Sequence, residues 1–169
     1  MALQPGAEAP AFRLPATTGE EISLEDLRGR KVVLYFYPKD STPGCTQEAC
    51  DFRDRDEALQ GAGVVVLGVS KDSLASHDKF RAKYELPFPL LTDQDNAVAT
   101  AYGAFGEKNM YGRKVLGTIR STFLIDENGT IQRTWSPVRV AGHADDVLAA
   151  IKGEEAPKAS AGRSKPARR

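Results

Sequence analysis

Three observations in the sequence predict an α/β domain whose strands run in both directions. First, Val32–Tyr37 (VVLYFY) and Val64–Val69 (VVVLGV) are continuous apolar runs. Such runs suit central strands covered on both faces, as parallel strands are. Second, the stretch between them, CTQEACDFRDRDEALQGAG, is polar, helix-prone and closed by glycine, which makes a strand–helix–strand unit. Third, STFLID and TIQRTW flank Asn128-Gly129, a strong hairpin signal for antiparallel strands.

The other elements follow in order. FRLP and EEISL flank the turn-like ATTGE and predict an N-terminal hairpin. SLEDLRG reads as a short helix, with Ser23 as N-cap and Gly29 as stop. After the first strand–helix–strand unit, SLASHDKFRAKYEL predicts a second helix, ended by Pro87. NAVATAYGAF predicts a short third one, and HADDVLAAIKG a last helix stopped by Gly153. No internal repeat or linker divides the body, so residues 1–153 are expected to form one domain.

Composition narrows the class. The chain has 169 residues, 41% hydrophobic and 27% charged, ordinary values for a globular protein with a real core. No apolar run approaches the ~20 residues of a membrane span. MALQPGAEAP lacks the basic and apolar regions of a signal peptide, which favours the cytoplasm. Net charge is zero but uneven: Lys158, Arg163, Lys165, Arg168 and Arg169 stand in a C-terminal stretch, APKASAGRSKPARR, that holds no acid. This basic segment has nothing large and apolar to bury, so residues 154–169 are expected to be a disordered, solubilising tail. Weak contact with anionic partners is its other reading, and no specific nucleic-acid binding is expected.

The chemistry concentrates in PKDSTPGCTQEAC, which contains both cysteines of the chain. Thr42 is a good N-cap and Pro43 suits the first helical position, so Gly44 and Cys45 fall in the first turn. That turn has N–H groups without intrahelical partners and lies at the positive end of the helix dipole. A thiolate is stabilised there, so Cys45 is expected to titrate below the free-thiol value of about 8.5. The same N–H groups can hold a substrate oxygen. Cys50 lies five residues further on. On an ideal helix the two Cα atoms are then about 8.6 Å apart and point about 140° apart. A disulfide tolerates no more than about 7 Å. Either the pair never bonds, or the first turns of the helix unwind.

Three readings compete. Cys45 could attack an oxidant, become a sulfenic acid and condense with Cys50. A thioredoxin-type dithiol is disfavoured, because it expects two residues between the cysteines and here there are four. Two inert core cysteines are the bland alternative, weakened by the Thr-Pro-Gly start of the helix. A zinc site is poorly supported, since His77 and His143 are not spaced with the cysteines as ligands.

The segment YFYPKDSTPGCTQEACDFRD resembles the active-site segment of peroxiredoxins, most closely the bacterioferritin-comigratory, or thiol peroxidase Q, branch. Pro38, Thr42 and Cys45 meet the pattern Pro-x-x-x-Thr-x-x-Cys, and LGVSKDS, LPFPLLTD, GTIRSTFLID and VAGHADDVL match the branch in order. The resemblance covers about residues 5–153. It implies a thioredoxin-like fold with an N-terminal hairpin, and reduction of hydrogen peroxide and organic hydroperoxides. It gives Cys45 the place of the peroxidatic cysteine and Thr42 that of the hydroxyl donor. Pro43 would shield a pocket that includes Pro38 and Gly44, and Arg120 matches the active-site arginine. Cys50 is the one available resolving cysteine, so the resemblance implies a disulfide within one subunit, recycled by thioredoxin. Many branch members are monomers, and a monomer is expected.

The residue chemistry agrees with this resemblance. Peroxide reduction is displacement at oxygen by thiolate, and donors aimed at the shifting charge lower its barrier. The Cys45 N–H, the Thr42 hydroxyl and the planar Arg120 guanidinium are suitable donors, and no metal or organic cofactor is needed. Glu48 is a lesser candidate, to hold the arginine. Phe36, Tyr37 and Phe88 are candidates for the pocket wall. His77 reads as packing or surface, His143 as the start of the last helix, and Trp135 as core or pocket rim. A redox sensor using the same thiol switch is the alternative function; it would oxidise once and stop, whereas an enzyme turns over.

Overall fold

The computed structural model describes residues 2–153. The tail expected over residues 154–169 lies outside the described residues. In chain order the elements are β1 (Arg13–Pro15), β2 (Glu21–Ser23), a 3-10 turn (Glu25–Leu27), β3 (Lys31–Phe36), α1 (Pro43–Asp54), α2 (Asp56–Gly61), β4 (Val64–Ser70), α3 (Leu74–Tyr84), β5 (Leu90–Thr92), α4 (Ala97–Ala101), β6 (Phe105–Met110), β7 (Arg113–Thr118), β8 (Ser121–Ile125), β9 (Ile131–Trp135) and α5 (His143–Ile151).

The two apolar runs become neighbours. β3 and β4 pair in parallel, with Val33 opposite Val66, and β5 extends the parallel set beyond β4. On the other side β8 runs antiparallel to β3, and β9 antiparallel to β8. The sheet order is therefore β5-β4-β3-β8-β9, a mixed sheet as expected. β1 and β2 form the expected N-terminal hairpin.

The pleat of β3 divides the core. Val32, Leu34 and Phe36 face one cluster, with Phe12, Leu24, Tyr102 and Phe123. Val33, Tyr35 and Tyr37 face the other, with Cys45, Ala49, Phe52, Leu59, Phe80 and Val147 from the helices. Both faces are covered, which is why β3 reads as an unbroken apolar run. α1 is a mostly polar helix, and its place is decided by burying Cys45, Glu48, Ala49 and Phe52 on one stripe. A large apolar side chain such as Phe52 contributes about 1.5–3 kcal/mol when fully buried.

Four local details differ from the sequence reading. The expected single helix over 45–63 is broken at Arg55 (φ −110°, ψ 5°) into α1 and α2. The Arg55 guanidinium donates to the Asp51 carbonyl and grips Asp145 with two bonds of 2.6 and 3.2 Å, so the side chain completes the helix end. The SLEDLRG helix is only a 3-10 turn, although Ser23 Oγ does accept from the Asp26 N–H and Gly29 takes a left-handed φ of 92°. The β8–β9 connection is longer than an Asn-Gly turn: the Asp126 carboxylate accepts from the N–H groups of Asn128 and Thr130. Finally, β5 and the β6–β7 hairpin were not anticipated. The hairpin turns on Tyr111 (φ 55°) and Gly112 (φ 80°), so Tyr-Gly takes the place that Asn-Gly usually has in such a turn.

Gly68 in β4 lies where a Cβ would stand 2.9 Å from the Tyr35 ring carbon and hydroxyl and from Leu90 Cδ2. Gly68→Ala should therefore overpack the sheet face that carries Tyr35 and destabilise the fold by about 1–3 kcal/mol. Urea unfolding would show this as a lower midpoint at unchanged slope. An unchanged midpoint would mean that Tyr35 and Leu90 move aside freely.

Candidate active site

The end of β3 delivers the chain into the loop Pro38–Thr42, and the loop delivers it into α1. Thr42 has N-cap backbone angles (φ −84°, ψ 156°) and its carbonyl accepts the Thr46 N–H at 2.8 Å. Its hydroxyl does not cap the helix. It donates instead to the Lys39 carbonyl at 2.9 Å, which tightens the loop. The first turn of α1 thus has no side-chain cap, and its N–H groups stay available to a ligand oxygen. In this geometry Thr42 makes no bond to Cys45.

Cys45 is 1% exposed and carries a free thiol. Arg120, which follows β7 and leads into β8, donates from Nη2 to Cys45 Sγ at 3.3 Å. Its Nη1 donates to Glu48 Oε1 at 2.6 Å. Cys45 and Glu48 are three residues apart on α1 and so share a face. Glu48 is also 1% exposed, and among the described residues its Oε2 has no hydrogen-bond partner. Gly44 makes the approach possible: a Cβ there would sit 3.2 Å from Arg120 Nη2. Its value lies in this close contact, not in a left-handed backbone.

The charges follow from burial. Desolvation pushes Glu48 from 4.5 up to about 7, against the pull of Arg120. Burial alone would lower Arg120, but the facing Glu48 and Cys45 more than offset it and raise it. Lys108 on β6 is a further cation near the site. It is lowered by burial and by Arg120, and its Nζ donates to the Thr118 carbonyl at 2.7 Å. His143, at the start of α5, is lowered from 6.5 to about 4 by burial and by Arg120, so it is neutral near pH 7. Its Nε2 lies 2.8 Å from Thr122 Oγ1.

The residues expected from the sequence are thus brought together unevenly. Cys45, Gly44, Arg120 and Glu48 converge. Pro38 is half-buried in the loop, and Pro43 is exposed at the helix start. Cys50 is half-buried and free, on another side of α1. Tyr37 and Phe88 share the core cluster of Cys45, but Phe36 points to the opposite face of the sheet, as alternation requires. Tyr35, not singled out from the sequence, stacks on Phe52 at 5.0 Å in the Cys45 cluster. Burial raises its phenol well above the ordinary value, so it stays neutral. The i, i+3 spacing was the signal for Glu48. Lys108 and Tyr35 had none, since each reaches the site through sheet pairing.

Beside the first turn lies a cleft of about 610 Å³ between α1 (Pro43, Gly44, Gln47, Asp51) and the segment 140–145. On the other side of the loop, donor atoms of Asp40, Asp72 and His77 lie within 4.8 Å of one another. They are engaged in hydrogen bonds: His77 Nδ1 faces Asp40 Oδ2 at 2.7 Å, and Ser70 and Ser76 donate to the carboxylates. His77 is fully buried, so of the two readings the sequence offered it is packing and not surface, with both ring nitrogens in hydrogen-bonding reach of oxygens.

A family model described as the AhpC/TSA family matches residues 5–134. The chain is 55% identical over 148 residues to a putative peroxiredoxin bcp of Coxiella burnetii, covering 88% of this chain and 98% of that one. It is 43% identical over 152 residues to peroxiredoxin Bcp of Bacillus subtilis, covering 90% and 97%. Among solved structures, a mutant of Xylella fastidiosa PrxQ superposes with a TM-score of 0.85 at 37% identity, covering 90% and 98%. A structure of the Xanthomonas campestris bacterioferritin comigratory protein, described in terms of its alkyl peroxide reduction activity, superposes at 0.81 with 46% identity, covering 90% and 97%.

Glu48 carries a testable consequence. The folded chain keeps a proton on Glu48 that the unfolded chain releases above about 4.5. Where the native state binds more protons, stability falls as pH rises, here between about 4.5 and about 7. Glu48→Gln keeps an acceptor for Arg120 and has no proton to lose. Relative to this variant, the wild-type unfolding free energy should drop across that window by on the order of 3 kcal/mol. Parallel stability curves would show that Glu48 is ionised throughout.

Proposed function

Because the chain belongs to the AhpC/TSA family and is a peroxiredoxin of the Bcp, or peroxiredoxin Q, kind, a thiol peroxidase, we propose that it reduces hydroperoxides through Cys45 and a Cys45–Cys50 disulfide. The contact of Arg120 Nη2 with Cys45 Sγ is the observation that supports this reading most directly. A cation 3.3 Å from the sulfur favours the thiolate and is placed to follow the negative charge from sulfur to the departing oxygen.

In the first step the Cys45 thiolate attacks the terminal oxygen of ROOH. The S–O bond forms and the O–O bond breaks. Cys45 becomes a sulfenic acid, and RO⁻ leaves and takes up a proton as ROH. The sulfur is oxidised by two electrons and the peroxide reduced by two. The first-turn N–H groups and the Arg120 fork would hold the two peroxide oxygens, with Pro38, Pro43 and Gly44 around them and the Thr42 hydroxyl turned toward them when substrate is present. In the second step the Cys50 thiol attacks the sulfenic sulfur; the S–S bond forms and water leaves. A dithiol reductant of the thioredoxin type then returns both thiols by exchange. A thiol reductant follows from the family's activity, while thioredoxin itself is our reading.

The disulfide requires α1 to open. Both cysteines lie inside an intact helix, on different sides of it. Unwinding its first turns loses several hydrogen bonds worth about 0.5–1.5 kcal/mol each, which the covalent bond offsets. We take residues 1–153 as the peroxidase domain, acting as a monomer in the cytoplasm without metal or organic cofactor. No helix among the described residues is long and apolar enough to cross a membrane.

Peroxide consumption by the purified protein, with and without a thioredoxin system, tests the reading. Cys45→Ser should abolish turnover. Cys50→Ser should react once, lose most thioredoxin-dependent turnover and progress more readily to sulfinic acid. Mass spectrometry of the oxidised wild type should find the Cys45–Cys50 bond within one chain. Wild type that oxidises once and is not recycled would point to a sensor instead.

Arg120→Lys keeps the charge but loses the planar fork that bridges Cys45 and Glu48. Its second-order rate with peroxide should fall about ten-fold or more. An unchanged rate would remove Arg120 from the reaction.

A further inference from the structure

The loop before α1 is held from behind by a buried polar network that the reaction does not use. Asp40 is 5% exposed and His77 is fully buried. The Asp40 carboxylate accepts three bonds: Tyr37 Oη donates to Oδ1 at 2.6 Å, and Ser76 Oγ and His77 Nδ1 approach Oδ2 at 2.8 and 2.7 Å. The Asp40 N–H donates to Asp72 Oδ2 at 2.8 Å, and Ser70 Oγ donates to the same oxygen at 2.6 Å. His77 Nε2 lies 3.0 Å from the Leu91 carbonyl.

Each ring nitrogen of His77 faces an oxygen acceptor. A carbonyl only accepts, so Nε2 carries a proton. The Asp40 carboxylate also accepts from two hydroxyl donors, Tyr37 and Ser76, an arrangement that suits an anion facing Nδ1. The polar groups bonded to or beside the pair are Tyr37 just past β3, Ser70 at the end of β4 and Asp72 beyond it, Ser76 on α3 and the Leu91 carbonyl on β5. No second cation competes with His77 among these groups. Next along the chain, Ser41 takes a left-handed φ of 67°. A non-glycine residue holds such a conformation only where its surroundings over-determine it.

We propose that His77 and Asp40 form a buried imidazolium–carboxylate pair that anchors the Pro38–Thr42 loop, thereby positioning Cys45 against Arg120 and confining the redox-linked unwinding to α1. Both are positioning residues, since neither touches the sulfur. Asp40 is the fixed point, and Ser41 is the joint where the chain turns from the anchored loop into the helix that must open. The second half of this proposal rests on the disulfide mechanism above; the first half does not.

The test separates the two halves. In a Cys50→Ser background, where no internal disulfide can form, His77→Gln should slow single-turnover oxidation of Cys45 by peroxide about ten-fold, and should also slow the further step to sulfinic acid. The first step needs the positioned thiolate and the second the positioned sulfenic sulfur. In the two-cysteine chain the same substitution should accelerate disulfide formation from the sulfenic acid, followed by rapid quench and mass spectrometry. Nitrogen NMR of the wild type at pH 7 should show both His77 ring nitrogens protonated. Slower first oxidation with faster resolution, absent from a variant elsewhere in the fold whose melting temperature falls equally, assigns the effect to the pair; the same split in that control would overturn the proposal. A lowered melting temperature with both rates unchanged would assign the pair a merely structural role and overturn the proposal, as would a neutral His77 ring. If the His77→Gln chain does not fold, Ser76→Ala removes one bond to the same carboxylate and should give the same split in smaller measure. If the wild type forms no Cys45–Cys50 bond, the disulfide mechanism fails while the Cys50→Ser arm still decides the anchor.

Discussion

Under the first turn of α1, two acids share one cation. Cys45 and Glu48 are both almost fully buried, and the Arg120 guanidinium bridges them at 3.3 and 2.6 Å. A buried charge without a partner is expensive, so the cluster is comfortable when Arg120 faces a single full negative charge. Much of the surrounding structure serves this contact. Gly44 leaves room for the guanidinium, Ala49 and Phe52 seat the helix on the sheet, and the β7–β8 connection brings Arg120 across from the far side of β3.

The proposed Cys45–Cys50 bond requires the same helix to open. α1 runs for 12 residues before Arg55 ends it, and Arg55 ties that end to α5 through Asp145. This ion pair is exposed and contributes little to stability, on the order of 0–1 kcal/mol. Its carbonyl bond to Asp51 fixes where the helix stops. At the other end the buried Asp40 network holds the loop. The segment that carries both cysteines therefore lies between two held ends, and its own ladder of backbone bonds is the part that the proposed disulfide would replace.

How much was legible beforehand depends on whether a signal was local. The β3–α1–β4 unit, the N-terminal hairpin and the β8–β9 pair were readable because apolar runs and turn residues are properties of neighbouring positions. The cysteine at a helix start was readable for the same reason, and the resemblance to peroxiredoxins, borne out by the family match, rested on that stretch and on further local segments along residues 5–153. β5 is only three residues long, and β6–β7 is a charged, largely exposed hairpin, so neither leaves an apolar signature. The break at Arg55 was hidden because no glycine or proline marks it and one of the Arg55 partners, Asp145, is remote in sequence.

By itself, then, the sequence determined the sheet's central strands, the helix start that presents Cys45, and the spacing that keeps Cys50 out of bonding reach of an intact helix. The resemblance named Arg120, but its contact with the sulfur exists only in the tertiary structure. Arg120 stands 75 residues from Cys45, and His77 stands 37 residues from Asp40. Neither pairing is encoded in any local pattern, because each exists only once β8 has paired with β3 and α3 has packed over β4 and β5. The reorientation of the Thr42 hydroxyl toward Lys39 belongs to the same class. A side chain chooses among hydrogen-bond partners only after the fold has put them within reach, and that choice is an energy difference no single residue carries.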